Sequence, residues 1–340
     1  MTARQCVPKV WAMPSTFDFS TIRGFEDLWT QFTFRAPRVV RLDQSERMLL
    51  DALGLGLEQA IQHLGRERPE LASFQEWVIA TAGVPDPEAI ARYHAVLDGA
   101  PLPESVRSRV AAIDAAAPVL DADDLAHWER EGWVVLRQAI SAGEAAAAQA
   151  LLWEVVGGEP ADPASWYGYR GNGIMVQHFQ HPALDVARTS PRIHKAFAQL
   201  WGTADLWSTV DRMSFNPPET LARPFQGPRL HWDVSLAQPI PFATQGILYL
   251  TDTAADQGAL ALVPAFHHRL EGWLDRLGAG DPRQVDLNAE AITIPAGAGD
   301  LVIWRQDLPH GASPNRSSRP RLAQYVNFYS PALSVHPEWR

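Results

Sequence analysis

The sequence holds a single cysteine, Cys6, so no internal disulfide can form. A lone thiol in a terminal segment reads as incidental rather than reactive. No stretch approaches the ~20 apolar residues that a membrane helix needs. The opening segment, MTARQCVPKVWAMPSTFDFS, lacks the apolar h-region of a signal peptide. Excess positive charge is lacking too: the net charge of −10 argues against a nucleic-acid footprint, which needs a basic stripe, and disfavours an anionic membrane surface. Local basic patches leave small anionic substrates open. These absences point to a cytoplasmic protein acting on a small molecule.

What is present suits a globular chain. Its 340 residues are 46% hydrophobic, enough for one large domain or two modest ones. In SERMLLDALGLGLEQAIQHLGRERPEL, Leu49, Leu50, Leu53, Leu57, Ile61 and Leu64 recur at spacings of three and four, an apolar helical stripe. Ser45 before Glu46 is the expected N-cap. Shorter amphipathic helices are expected near 73–83, 87–98 and 103–115. Residues 1–117 carry no titratable cluster and read as a helical extension. It packs on the main domain or forms a homodimer face; a partner-binding module is the alternative.

From residue 118 the composition changes. A helix, a strand at Trp133–Leu136 and an Ala-rich helix from about Ala142 come first. After residue 205, LWSTVDRMSF, LHWDVSL, QGILYLTD, ALALVPAF, AITIPA, DLVIWR and RLAQYVNFYS read as short strands bounded by turn residues. Many short strands imply a sandwich, barrel or jelly roll, and the chain is α+β overall. Residues 118–340 form the expected second domain.

LHWDVSL raises the chemical question. In a strand, His231 and Asp233 share one face and Trp232 takes the other. Burying such a pair without a partner is costly. His310, in DLVIWRQDLPHGASPNRSSRPRLAQY, supplies a third ligand type just beyond a strand. Two imidazoles and one carboxylate make the facial triad of non-haem Fe(II) oxygenases, which leaves coordination positions for a chelating cosubstrate and dioxygen. A dicarboxylate cosubstrate needs a fixed cation. Arg321, eleven residues after His310, is placed for it, with Arg319 the alternative. Arg212 meets the cosubstrate or a substrate carboxylate if it faces inward, and is a solvated charge otherwise. Gln177 and His178, in the aromatic, Gly-rich SWYGYRGNGIMVQHF, are candidate pocket residues. The proline after His181 argues for a helix start there rather than a second metal site. His267 and His268 read as structural, and PAGAGD at 295–300 as a turn rather than a phosphate loop.

From about 121 to 330 the chain resembles the phytanoyl-CoA dioxygenase family of Fe(II)/2-oxoglutarate oxygenases. The carriers are LAHWEREGWVVLRQAIS, the HWD motif, DQGALALVPAFHH, and the distal-His segment with its arginine eleven residues on. The resemblance implies a double-stranded β-helix, a cupin-like jelly roll. It implies His231, Asp233 and His310 as iron ligands, with Arg321 on the 5-carboxylate of 2-oxoglutarate. The sequence departs from the family at Ala312, where some members place a serine on the cosubstrate, and at Ala265-Phe266, where the pattern has Gly-Ser.

The expected activity is dioxygenase chemistry with Fe(II), 2-oxoglutarate and O2, hydroxylating an aliphatic C–H of a small metabolite or natural-product intermediate and releasing succinate and CO2. Asp233 argues against a halogenating variant, which removes the carboxylate ligand to admit halide. The rivals are a sensory or structural metal-binding jelly roll, and a cupin-type enzyme that does not use 2-oxoglutarate.

Overall fold

The leucine stripe that reads as one helix is two. α1 (Phe25–Phe32), α2 (Gln44–Ala52) and α3 (Leu57–Glu67) open the chain, and α2 and α3 part at Gly54, whose φ of +72° ends the first helix. The N-cap of α2 is Asp43 rather than Ser45: its side chain accepts from the Glu46 amide while Glu46 reaches back to the Asp43 amide. The glutamate three residues on selects Asp43. α4 (Leu71–Ala82), α5 (Pro87–Asp98) and α6 (Glu104–Ala115) follow near the expected positions. This computed structural model describes residues 17–35, 43–169, 171, 173–336 and 338–340; Cys6 lies outside them.

α7 (Ala122–Glu131), β1 (Trp133–Leu136) and α8 (Ala142–Val156) lead into the second half. Next come β2 (Met175–Val176), α9 (Pro182–Arg188), α10 (Pro191–Trp201), β3 (Trp207–Ser208), β4 (Met213–Asn216) and β5 (Thr244–Tyr249). β6 (Leu260–Leu262), α11 (Leu270–Leu277), β7 (Ile292–Ile294) and β8 (Leu301–Arg305) precede β9 (His310–Ala312), β10 (Arg321–Tyr325) and β11 (Phe328–Tyr329). LWSTVDRMSF and RLAQYVNFYS, each expected as one strand, are each two.

The main sheet runs β1-β8-β5-β10-β4-β2 and the smaller one β7-β6-β9, every named pair antiparallel. Side-chain alternation gives the main sheet two jobs. One face, with Met213, Phe215, Leu248, Leu301, Ile303 and Leu322, packs beneath helices α8, α9 and α10. The other, with Ile247, Tyr249, Val302, Trp304 and Ala323, packs against Leu260, Leu262 and Ile294 of the smaller sheet. Tyr249 ties the two sheets: its hydroxyl donates to the Ile294 carbonyl at 3.0 Å and accepts from the Leu260 amide at 2.8 Å. This is the jelly-roll core of an α+β chain.

The first helices bury their own cluster, which also takes in Trp207 and Tyr329 from the β3-β11 pair. Polar ties cross the same boundary. Asp51 accepts from the Tyr329 hydroxyl at 2.6 Å and the Val210 amide at 2.9 Å, and Gln59 bonds Gln180.

Candidate metal centre

LHWDVSL is not a strand. Only His231 makes a bridge, its amide and carbonyl pairing with those of His310; residues 232–236 are irregular. Their carbonyls find another donor. The Arg283 guanidinium takes the Trp232 carbonyl at 2.6 Å and the Val234 carbonyl at 2.8 Å, satisfying backbone that a sheet would otherwise pair. Trp232 is buried, bonded to the Asp307 carbonyl and packed on Phe266 and Trp273.

Without the strand, His231 and Asp233 still converge, and His310 joins them. One ligand atom from each lies within 4.8 Å of the others. Asp233 Oδ1 is 3.3 Å from His231 Nε2, and Oδ2 is 3.3 Å from His310 Nε2. Each imidazole is turned by its far nitrogen: His231 Nδ1 lies 2.7 Å from the Arg229 carbonyl, and His310 Nδ1 lies 3.0 Å from that of Leu308. A carbonyl only accepts, so Nδ1 carries a proton and Nε2 faces inward, donating to Asp233 when the ring is protonated and offering its lone pair to a metal when it is neutral. Gly311 permits the approach of the two segments, since a Cβ there would sit 2.7 Å from the Arg229 carbonyl oxygen.

The Asp233 side chain is 56% exposed, yet partial desolvation in the cluster still acts to raise its carboxyl and to lower the His231 imidazole. The hydrogen bonds between them, with that of His310, outweigh it: Asp233 is held well below the usual carboxylate range and His231 is raised. The cluster is therefore built around an anion flanked by two nitrogen donors, a donor set that fits a divalent transition metal.

Sequence reading missed the residue that steadies that anion. Gln245, on β5, donates from Nε2 to Asp233 Oδ2 at 2.7 Å, and its Oε1 accepts from Trp304 Nε1 at 3.1 Å. The indole can only donate, so it fixes which end of the amide faces the carboxylate. Nothing local marks Gln245; only the β5-β8 register, which pairs it with Trp304, brings it there.

Arg321 and Arg319 part company. Arg319 is exposed, beside Asp252 and Gln257, whereas Arg321 is 1% exposed at the start of β10. Its Nε donates to the Gly258 carbonyl at 3.1 Å, and its Nη1 is buried with no hydrogen-bond partner. Among the described residues no carboxylate pairs with it. A buried guanidinium with an orphan donor fits an anion such as the far carboxylate of 2-oxoglutarate.

Arg212 lies at the other end of the same face. Beyond β4 the ladder continues, the Tyr325 amide bonding the Arg212 carbonyl at 3.0 Å. Its guanidinium pairs with Glu58 of α3 and lies 3.4 Å from Asp211. Gln177 and His178 are half-buried just past β2, each with a buried side-chain nitrogen that lacks a partner. Neither lines the cavity of about 440 Å³ that Tyr167, Tyr169 and Ile174 form with the 215–226 loop, and none of the triad lines it either. His181 caps α9, as Pro182 implies, and His267 and His268 lie against the Glu129 carbonyl. Ala265 adopts φ +56°, a left-handed backbone that explains why the family pattern has glycine there. No helix among the described residues is long and apolar enough to cross a membrane.

Comparison with known proteins agrees with this geometry. Residues 128–323, more than half of the chain, match the family model of phytanoyl-CoA dioxygenase (PhyH). A Dictyostelium discoideum protein named as a phytanoyl-CoA dioxygenase is 21% identical, over 59% of this chain and 73% of its own. The ectoine dioxygenase of Bordetella parapertussis is 25% identical, over 65% of this chain and 79% of its own. Among solved structures, that of EvdO2 from Micromonospora carbonacea var. aurantiaca complexed with 2-oxoglutarate aligns at TM-score 0.49 and 19% identity, over 66% of this chain and 96% of that one. The chain belongs to the phytanoyl-CoA dioxygenase family, and with it to the non-haem iron oxygenases that use 2-oxoglutarate.

Proposed function

We propose that this oxygenase hydroxylates an aliphatic C–H bond of a small metabolite or natural-product intermediate, with His231, Asp233 and His310 holding Fe(II) and Arg321 anchoring 2-oxoglutarate. The observation that carries the cosubstrate assignment is the buried Arg321 guanidinium with no acidic partner among the described residues. When bound, the iron and cosubstrate supply the oxidising power for C–H oxidation, with succinate and CO2 as the coproducts.

The chain's own residues do the rest. The two imidazoles present Nε2, because Arg229 and Leu308 carbonyls occupy Nδ1. Asp233 neutralises part of the metal's charge, and Gln245 keeps one of its oxygens occupied. Arg321 fixes the cosubstrate's far end, which orients its near end towards the triad. The Trp232, Trp304 and Phe266 wall keeps that side dry. With Ala312 in place of a hydroxyl residue, the grip on the far carboxylate falls to Arg321.

The acidic balance of the chain and the relative named ectoine dioxygenase support a small-molecule substrate rather than nucleic acid or an anionic membrane; a cytoplasmic location is proposed with them. Residues 1–117 and 118–340 are proposed as the extension and the oxygenase domain, and a homodimer remains the proposed use of any free extension face. The test is succinate release from Fe(II) and 2-oxoglutarate, screened for stimulation by candidate substrates. A metal-binding protein that neither binds nor consumes 2-oxoglutarate would be the sensory or cupin-type rival instead.

A further inference from the structure

The helical extension reaches the ligand-facing side of the barrel. On β10, Arg321, Ala323 and Tyr325 share one face, opposite Asn216, Ser214 and Arg212 in turn. Tyr325 also stands opposite Ile247, and two residues before Ile247 on the same face is Gln245, which holds Asp233. Arg212 therefore sits at the triad end of the interior. Burial lowers its guanidinium, and the Asp233 charge nearby opposes that. Glu58 of α3 pairs with that guanidinium, the two side chains being 26% and 21% exposed.

Docking does not require this pair. The extension is already held by its apolar cluster on Trp207 and Tyr329, by Asp51 and by the Gln59–Gln180 bond. A partly exposed ion pair adds little to such an interface. Its place beside the reacting centre suggests another use. A purely anionic ligand of Arg212 would face Glu58, Asp211 and Asp233 together. A neutral one would gain little from parting an ion pair. A molecule carrying both charges replaces the pair without leaving either side chain unpaired.

We infer that Glu58 and Arg212 form a substrate-binding subsite for a zwitterion, Arg212 taking the substrate's carboxylate and Glu58 its ammonium group. The helical extension thereby supplies a specificity-determining residue that lies outside residues 128–323. This inference rests on the oxygenase reading above.

The test uses the full chain loaded with Fe(II) and 2-oxoglutarate without oxygen. Calorimetry measures binding of the free proteinogenic amino acids, each beside its N-acetyl acid and its carboxamide. Free zwitterions should bind, and either cap should weaken binding by about tenfold, between the effect of an exposed charge pair and that of a fully desolvated one. Glu58→Gln should remove the penalty for N-acetylation and Arg212→Gln that for amidation, with Glu67→Gln on the same helix as control. The charge swap Glu58→Arg with Arg212→Glu restores an ion pair but reverses its polarity. Weak zwitterion binding in the swap supports recognition, whereas wild-type binding there shows a structural pair and overturns the inference. Absence of any zwitterion binding, or cap penalties unchanged in the single variants, also overturns it. Failure to bind 2-oxoglutarate in wild type would instead sink the underlying reading.

Discussion

Arg321 and Arg212 stand at opposite ends of one barrel face, yet their surroundings are opposite in kind. Arg321 is sealed in, 1% exposed, with a donor that has no partner. Arg212 is partly open and already matched by Glu58 and Asp211. The first arrangement is costly for a folded chain on its own, so it indicates a ligand that the fold is built to receive. The second is self-sufficient, and a ligand has to displace something to use it. On the proposed reading, one end of the interior is a socket for the fixed cosubstrate, and the other is a closed pair that a substrate must exchange with.

The hardest break in that comparison lies between the two ends. Asp233→Ala removes the only anionic member of the proposed triad, and succinate release is expected to vanish while Fe(II) or Co(II) affinity falls. Wild-type succinate release by that variant, or metal held at another histidine pair, would place the centre elsewhere. Next comes the socket. Losing a desolvated bidentate pair costs on the order of 2–5 kcal/mol, so Arg321→Ala should raise the 2-oxoglutarate requirement about 30-fold or more. Arg319→Ala, on an exposed side chain, should leave it within about twofold. The opposite ranking would exchange the roles of the two arginines.

Between socket and pair stands Gln245. Gln245→Leu keeps the size of the side chain but removes both bonds of the Trp304–Gln245–Asp233 relay. Outer-shell partners of this kind typically contribute about 10–100-fold to metal affinity. Co(II) affinity should fall by about tenfold at least, with the 2-oxoglutarate requirement at saturating metal little changed. A shift in the cosubstrate requirement alone would show that Gln245 acts on the ligand rather than on Asp233.

How legible this was follows from how local each signal is. The triad and Arg321 lie in two short segments with fixed offsets, and the resemblance could name them before any fold was known. The geometry of the first segment could not be read. His-x-Asp in a strand predicts a shared face, and the two side chains do converge, but the backbone does so through Arg283, some fifty residues later, bonding the carbonyls. Gln245 and Glu58 carry no motif at all. The first depends on the β5-β8 register and the second on where α3 docks. The α2-α3 break had a signal in the glycines of LGLGL, which the continuous leucine spacing overrode.

The smallest expected effect concerns how the extension is held beside Arg212. Asp51 is buried at that boundary, and burial pushes its carboxyl up to about 7 from an ordinary 3.8, against the opposing hydrogen bonds from Tyr329 and Val210. A raised carboxyl means that the folded chain binds a proton which the unfolded chain releases earlier. The folded state is then favoured most below about pH 4, and this contribution is lost progressively as pH rises to about 7, with no further change beyond. The Asp51→Asn variant cannot titrate at this position, yet its amide keeps an oxygen for the Val210 N–H. The difference in Tm between wild type and the variant should therefore move by a few degrees in the variant's favour from pH 5 to pH 8. Other titrating groups act in both proteins and cancel in that difference. Parallel melting curves across the range would mean that Asp51 stays ionised at the boundary, and that the Arg212 end is held no more sensitively to pH than the Arg321 end.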